Sequence, residues 1–93
     1  MIGFYSYIRA LNNCTRETLE AGAEYAQKFR DNAITTDQYR TEMFEKIHSI
    51  AVKNAHGNEE LYNHLDSDFA KPAFKYLDKT VQEYKEGSGI AED

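Results

Sequence analysis

Long apolar runs are missing from this sequence, and their absence excludes a transmembrane helix. The longest run, residues 1–4, falls far short of the roughly 20 apolar residues that cross a bilayer. Arg9 interrupts the N-terminal stretch before the apolar region of a secretory signal could form. Cys14 is the only cysteine, which excludes an internal disulfide and is typical of a reducing compartment. We therefore expect a cytoplasmic protein that does not associate with membranes.

Catalytic motifs are also missing. The chain contains no Gly-x-Ser-x-Gly nucleophile elbow, no P-loop and no Gly-x-Gly-x-x-Gly fingerprint. Its 93 residues are enough for one domain but too few for a multi-layer enzyme fold. We therefore predict a protein that is not an enzyme, with no catalytic residues and no cofactor.

Signals for β-strands are scarce as well, because sustained alternation and Asn-Gly or Asp-Gly turns do not occur. Apolar residues instead recur at helical spacing. This pattern predicts an all-α protein, a compact bundle or orthogonal array of four to five short amphipathic helices. The predicted domain covers residues 1–87, and residues 88–93 are expected to form a flexible tail.

The first two predicted helices divide near residue 13. A first apolar stripe comprises Phe4, Tyr7, Ile8 and Leu11. It predicts a helix that ends near Asn12 or Asn13. Thr15 is a favourable N-cap for a second helix to about Asp31. The predicted inner face of that second helix comprises Leu19, Gly22, Ala23, Ala26 and Phe29.

Cys14 would precede the start of this second helix. A helix N-terminus stabilises a thiolate, so a reactive thiol is one interpretation. An inert thiol is the alternative.

The third helix has the clearest boundaries. Thr35 and Gln38 form the sequence of a capping box, and Gly57 is suited to end the helix after Ala55. Its predicted core face comprises Met43, Ile47, Ile50, Ala51 and Asn54.

Two more helices follow. Asn58 is the predicted cap of a short fourth helix from Glu59 to about Leu65. The fifth is predicted to begin near Asp68, because Pro72 is tolerated best in a first helical turn.

Positive charge is scarce in the last third. Residues 58–93 hold nine acids and four lysines, whereas residues 1–57 are neutral, for a net charge of −5. Nucleic-acid phosphates bind to basic faces, so we expect no direct nucleic-acid binding. An acidic surface favours a protein partner with a basic surface, or alternatively only maintains solubility. The acidic candidates for partner binding are Glu59, Glu60, Asp66, Asp68 and Asp78.

Tyrosine is abundant, with seven Tyr and five Phe but no Trp. Tyr7, Tyr39 and Tyr84 fall on the predicted core stripes. Four others lie off the centres of their stripes: Tyr5, Tyr25, Tyr62 and Tyr76. Because tyrosine is enriched at binding hot spots, these four are candidate anchors. The alternative is a ring at the edge of the core with its hydroxyl in water.

Two Glu/His pairs have spacings that suit metal ligands. Glu45 and His48 form a Glu-x-x-His pair, and Glu60 and His64 are four residues apart. No second Glu-x-x-His occurs, and a helical wheel turns Glu45 and His48 away from the predicted core. We therefore predict no metal site within one chain. The alternative is a helical assembly that binds metal across a symmetric interface.

These features favour a small acidic binding protein that acts by occupying a macromolecular partner's surface. Inhibitors, immunity proteins and counter-defence proteins directed at a basic, nucleic-acid-handling protein are of this kind. Besides the metal-binding assembly, a homodimeric regulatory module joined through Gly22, Ala23 and Ala26 is a further alternative.

Overall fold

Three helical rods form the described part of the chain, residues 3–88, in the computed structural model. Helix α1 spans Phe4–Arg30 and α2 spans Thr36–Ala55. Helix α3, Glu59–Leu65, continues without a break through a π-helical turn, Asp66–Ala70, into α4, Lys71–Ser88. The all-α class is confirmed, but three rods replace the four to five short helices that the sequence predicted. The predicted tail lies outside the described residues except for Ser88.

Helix α1 runs straight through the predicted division near residue 13, so that prediction is wrong. Side chains that meet the rest of the fold recur at positions 7, 11, 14, 18, 21 and 25, in alternating steps of four and three. Such a seam keeps one helical face in contact with its neighbour across the predicted break. Thr15 is not an N-cap: its hydroxyl donates to the Leu11 carbonyl, 3.1 Å away inside the helix.

The buried face of α1 differs from the predicted one for the same reason. Because α1 is one continuous helix, the position of each residue around its axis is fixed along the whole length. The face that meets the rest of the fold buries Ala10, Cys14 and Ala21. Leu19 and Ala23 were predicted to face inward, but both are exposed, Leu19 to 70%. Small buried side chains allow α1 to lie close against α2, to which residues 31–35 connect it as a helical hairpin.

Helix α2 begins and ends as predicted. The Gln38 backbone N–H donates to the Thr35 hydroxyl at 3.1 Å, and the Thr35 N–H donates to the Gln38 side chain at 2.8 Å. Both bonds of the capping box are therefore present. After Ala55, His56 and Gly57 take positive φ angles of 51° and 77°, which end the helix. The five residues of its predicted core face are all buried.

The predicted cap of α3 is confirmed, but the predicted gap before the last helix is wrong. The Asn58 side chain accepts a backbone N–H of the first turn of α3 at 3.0 Å. Pro72 lacks an N–H and would deprive a regular α-helix of one bond. The turn before it is π-helical, and the Lys71 N–H donates to the Asp66 carbonyl, five residues back. This wider turn accommodates the proline without ending the rod.

The core lies along α2, and its largest fully buried side chains are Ile47, Leu65 and Cys14. The backbones of α1 and α4 stay more than 8 Å apart on either side of α2. They meet through side chains at one end, where the rings of Phe29 and Tyr84 are 4.6 Å apart. A groove therefore remains between the two helices, and the described part of the chain extends 49 × 20 × 16 Å. None of the described helices combines the length and hydrophobicity of a membrane span.

Candidate functional site

A surface pocket of about 400 Å³ opens where the first turn of α1 meets α3. We call it the acidic pocket, and its lining residues are Phe4, Tyr7, Glu60, His64 and Asp68. The last three are four residues apart, so one face of the α3 rod presents them together. The sequence alone predicted Glu60 and Asp68 as binding residues, and the fold brings both to one pocket.

Contacts between the two helices hold this pocket in shape. The Tyr7 hydroxyl donates to a carboxylate oxygen of Asp68 at 2.5 Å. The Tyr7 ring meets the His64 ring edge to face, with centroids 5.9 Å apart. The bond to Asp68 raises the pKa of Tyr7 above its ordinary value, so the phenol stays protonated and donating at neutral pH.

The π-helical turn contributes to this geometry. A π turn contains more residues than an α turn, so it rotates each successive residue less. Asp68 lies inside this turn and is therefore more nearly in line with His64 than a regular α-helix would place it. Phe4, by contrast, lies at the rim of the pocket and is 79% exposed.

Negative charge in the described residues concentrates around this pocket. Residues 54–70 contain four acids and no lysine or arginine. Residues 71–88 contain four lysines and three acids, so α4 is close to neutral. The acidic character that the sequence predicts for the last third therefore belongs to α3 and the π turn; Glu92 and Asp93 lie outside the described residues.

Three predicted acidic residues lie outside the pocket. Asp78 forms an ion pair with Arg40 at 2.5 Å, about 15 Å farther along the rod. Asp66 lies 3.6 Å from the Lys71 ammonium group. Glu59 is exposed on the first turn of α3, beside the pocket but not among its lining residues.

None of the four predicted tyrosine anchors lines the acidic pocket. Tyr25 and Tyr62 are half-buried against the core, which matches the alternative interpretation of an edge ring. Tyr5 and Tyr76 are exposed at two other pockets. The aromatic residues of the pocket that sequence analysis missed are Phe4 and Tyr7, because their helical stripe assigned both to the core, whereas Phe4 is 79% exposed. The bond from Tyr7 to Asp68 spans 61 residues, and no local sequence pattern predicts such a contact.

The two predicted metal-ligand pairs, Glu45/His48 and Glu60/His64, are not joined by a further ligand within the described residues. Among residues 3–88, no group of three or more His, Cys, Asp or Glu side chains is placed to hold a metal ion. Glu45 and His48 are exposed on α2, and His48 lies near the Tyr62 ring, with centroids 6.4 Å apart. A metal-bridged assembly therefore stays a prediction without further support.

Cys14 lies in the middle of α1 and not before a helix start, so the basis for a reactive thiol is gone. It is fully buried beside α2. Burial, followed by the nearby Glu17 carboxylate, raises the pKa of the Cys14 thiol to about 11. Such a thiol is protonated at neutral pH and behaves as a small apolar side chain.

Glu17 anchors a polar cluster at the same interface. It accepts from the Lys53 ammonium at 2.6 Å and from the Asn54 amide at 3.5 Å, with Arg16 at 3.7 Å. Asn54 is buried and also donates to the Ile50 carbonyl at 2.9 Å. The bond from Lys53 is the main cause that lowers the pKa of Glu17 below its ordinary value, against the opposing effect of burial.

Comparison of this chain with protein-family models, with curated proteins and with solved structures finds no match. Any functional inference therefore depends on the geometry of the chain itself. In the acidic pocket, two of the predicted acidic binding residues, Glu60 and Asp68, lie beside the exposed ring of Phe4.

We expect Glu17→Gln to lower the free energy of unfolding at pH 7 by about 1 kcal/mol, because it weakens charged hydrogen bonds at a partly exposed site. The folded pKa of Glu17 lies below the unfolded one, so this contribution is present above the unfolded pKa. It is lost as pH falls through the folded pKa. Urea unfolding between pH 7 and pH 3 should therefore show the two proteins converging in acid. Exposed Glu20→Gln is the control, and an equal effect of both changes would contradict this role.

We expect Cys14 in the folded protein to react with a thiol reagent at pH 7.5 at least about a hundredfold more slowly than in guanidinium. Its high pKa and complete burial both suppress the thiolate that attacks. Because it is the only cysteine, absorbance of the released thiol reports this site alone. Equal rates in the folded and unfolded chain would show that the thiol is accessible and reactive.

Proposed function

We propose that this protein is a small non-enzymatic binding protein that acts by occupying a basic surface of a macromolecular partner. The observation that carries the proposal is the acidic pocket, where two carboxylates converge on Phe4 and Tyr7. Carboxylates form charge-assisted hydrogen bonds with Lys and Arg, and aromatic faces attract the same cations. A Lys or Arg side chain of the partner is therefore the group that this pocket suits.

The order already present in the pocket supports binding. Tyr7 holds Asp68 by a hydrogen bond and packs against His64, so these side chains lose little freedom when a partner docks. The exposed Phe4 ring adds apolar area that a docked aliphatic stem of Lys or Arg would cover. These are the properties of an anchoring position within a larger interface.

The net charge of −5 supports a partner whose surface is extensively basic. Proteins that handle nucleic acids present such surfaces to phosphates. We propose that this chain places its carboxylates where phosphates would bind and thereby blocks access, as an inhibitor, immunity protein or counter-defence protein would. Complementary charge would also accelerate the encounter.

The pocket can be tested with a defined probe, the blocked peptide Ac-Gly-Arg-Gly-Arg-Gly-amide, titrated into isotopically labelled protein and followed by NMR. We expect saturable shifts at residues 4–7 and 60–68 that weaken as salt is added. The double variant Glu60→Gln/Asp68→Asn should weaken binding by about tenfold, since each exposed pair contributes up to roughly 1 kcal/mol. Phe4→Ala should weaken binding with no change in charge.

The matched control is Glu20→Gln/Glu83→Gln, which removes the same charge from exposed positions on α1 and α4. It should leave the affinity within about twofold of the original. Equal weakening by both double variants would mean that only net charge matters and would reject the pocket as the site. An equivalent peptide with Glu in place of Arg should give no saturable shifts.

The homodimer alternative has one observation in its favour, the groove between α1 and α4. It is about 360 Å³ in volume and mostly apolar, with Leu19 and Tyr76 exposed at 70% and 72%. Gly22 lines it, and a Cβ there would meet nothing within 4 Å. Gly22 and Ala23, two of the three small residues that the sequence predicted as an interface, therefore line this groove.

A larger side chain at Gly22 tests whether this groove is the interface of a homodimer. Gly22→Leu should preserve the fold, because leucine is a better helix former by roughly 0.8 kcal/mol and the space is open. If the groove joins two copies, the variant should raise the dimer dissociation constant by at least about tenfold in analytical ultracentrifugation. Gly22→Ala, which adds little volume, is the control. A parent protein that stays monomeric at high concentration would reject the homodimer.

A further inference from the structure

A second polar pocket, of about 280 Å³, lies between α1 and the turn that joins α2 to α3. We propose that this pocket binds a small phosphate-bearing ligand. Its polar lining residues are Tyr5, Ser6, Arg9, Asn13, Asn54 and His56. We call it the Arg9 pocket.

The Arg9 pocket is distinct from the acidic pocket. With about 100° of rotation per residue, Arg9 and Asn13 lie on a different face of α1 from Tyr7. Among the described residues, none lines both pockets and no Asp or Glu lines the Arg9 pocket. The nearby Glu17 carboxylate accepts from the amide of Asn54, at 3.5 Å. In a chain of net charge −5, a lining with an arginine and no carboxylate favours an anionic ligand over a cationic one.

The charge of Arg9 is available to a ligand. Its guanidinium lies over the Tyr5 ring, 5.5 Å from the centroid, and it forms no ion pair among the described residues. Stacking on a ring orients the planar guanidinium and leaves its N–H groups free to donate. A phosphate matches that fork geometry, because two of its oxygens can accept together.

The neighbouring side chains add donors from the other walls. Ser6 and Asn13 carry hydroxyl and amide donors on α1, and His56 adds an imidazole from the turn. The carbonyl end of α2 lies close by and would repel an anion. Two of its carbonyls are already bonded, however: Lys53 accepts from the His56 N–H at 3.3 Å, and Ala55 accepts from Asn58 at 2.9 Å.

The volume limits the size of the ligand. A volume of about 280 Å³ is just below the usual range of small-molecule pockets, so it suits one phosphate with a short organic group. Leu61 and Ala10 supply an apolar part of the wall, which such a group would contact. The ligand class is therefore a small phosphate ester and not a polymer backbone.

The test titrates inorganic phosphate and then glycerol 3-phosphate into isotopically labelled protein at constant ionic strength, with sodium chloride and sodium acetate as comparisons. We expect saturable shifts that centre on Ser6, Arg9, Asn13 and His56. Arg9→Gln should weaken phosphate binding by at least about tenfold. His56→Asn, which keeps a residue that tolerates the positive φ angle, should weaken binding without unfolding the turn.

Arg30→Gln is the matched control, because it removes the same charge about 31 Å away at the other end of α1. It should leave phosphate binding unchanged. Equal losses for Arg9→Gln and Arg30→Gln, or shifts spread over all lysines and arginines, would overturn the proposal. Equal saturation by acetate would replace phosphate with carboxylate as the ligand class, and absence of saturation by every anion would reject the site.

Discussion

The seam between α1 and α2 is the constraint on which the rest of the structure depends. Small side chains at Ala10, Cys14 and Ala21 let the two helices lie close together, and this contact runs nearly the whole length of α2. The first turn of α1 is carried to the α3 end of the molecule only because the helix does not stop near residue 13. Both pockets use residues of the first three turns of α1, so both depend on the continuity of this helix.

The sequence correctly predicted those parts of the fold that depend on residues close together in the chain. The capping box at Thr35 and the cap at Asn58 involve residues three positions apart, and both formed as predicted. The predicted division of α1 was wrong. Thr15 is an acceptable cap residue when it is considered alone, but the residues that contact the rest of the fold continue at regular spacing on both sides of it. A cap acts only where the helix has no tertiary reason to continue.

The candidate site was predictable in composition but not in place. The acid-rich segment between residues 54 and 70 is visible in the sequence, and two of its members line the acidic pocket. Tyr7 and Phe4 come from the opposite end of the chain, and their proximity to α3 follows from the packing of three rods. Asp78 illustrates the converse, since its charge is balanced by Arg40, a residue 38 positions earlier.

The π turn affects both the acidic pocket and the packing of α4 against α2. One helical turn sets the direction of Asp68 and also sets the rotational phase of everything after it, including buried Leu77 and Val81 on α4. A regular α-helix covers the same rotation with about one residue fewer, so regular helix over all of residues 66–70 would rotate α4 by roughly 100° against α2. A single-residue deletion in this segment removes the surplus residue and keeps α4 in phase, so the π turn can be lost without disturbing the core only together with one residue of the chain.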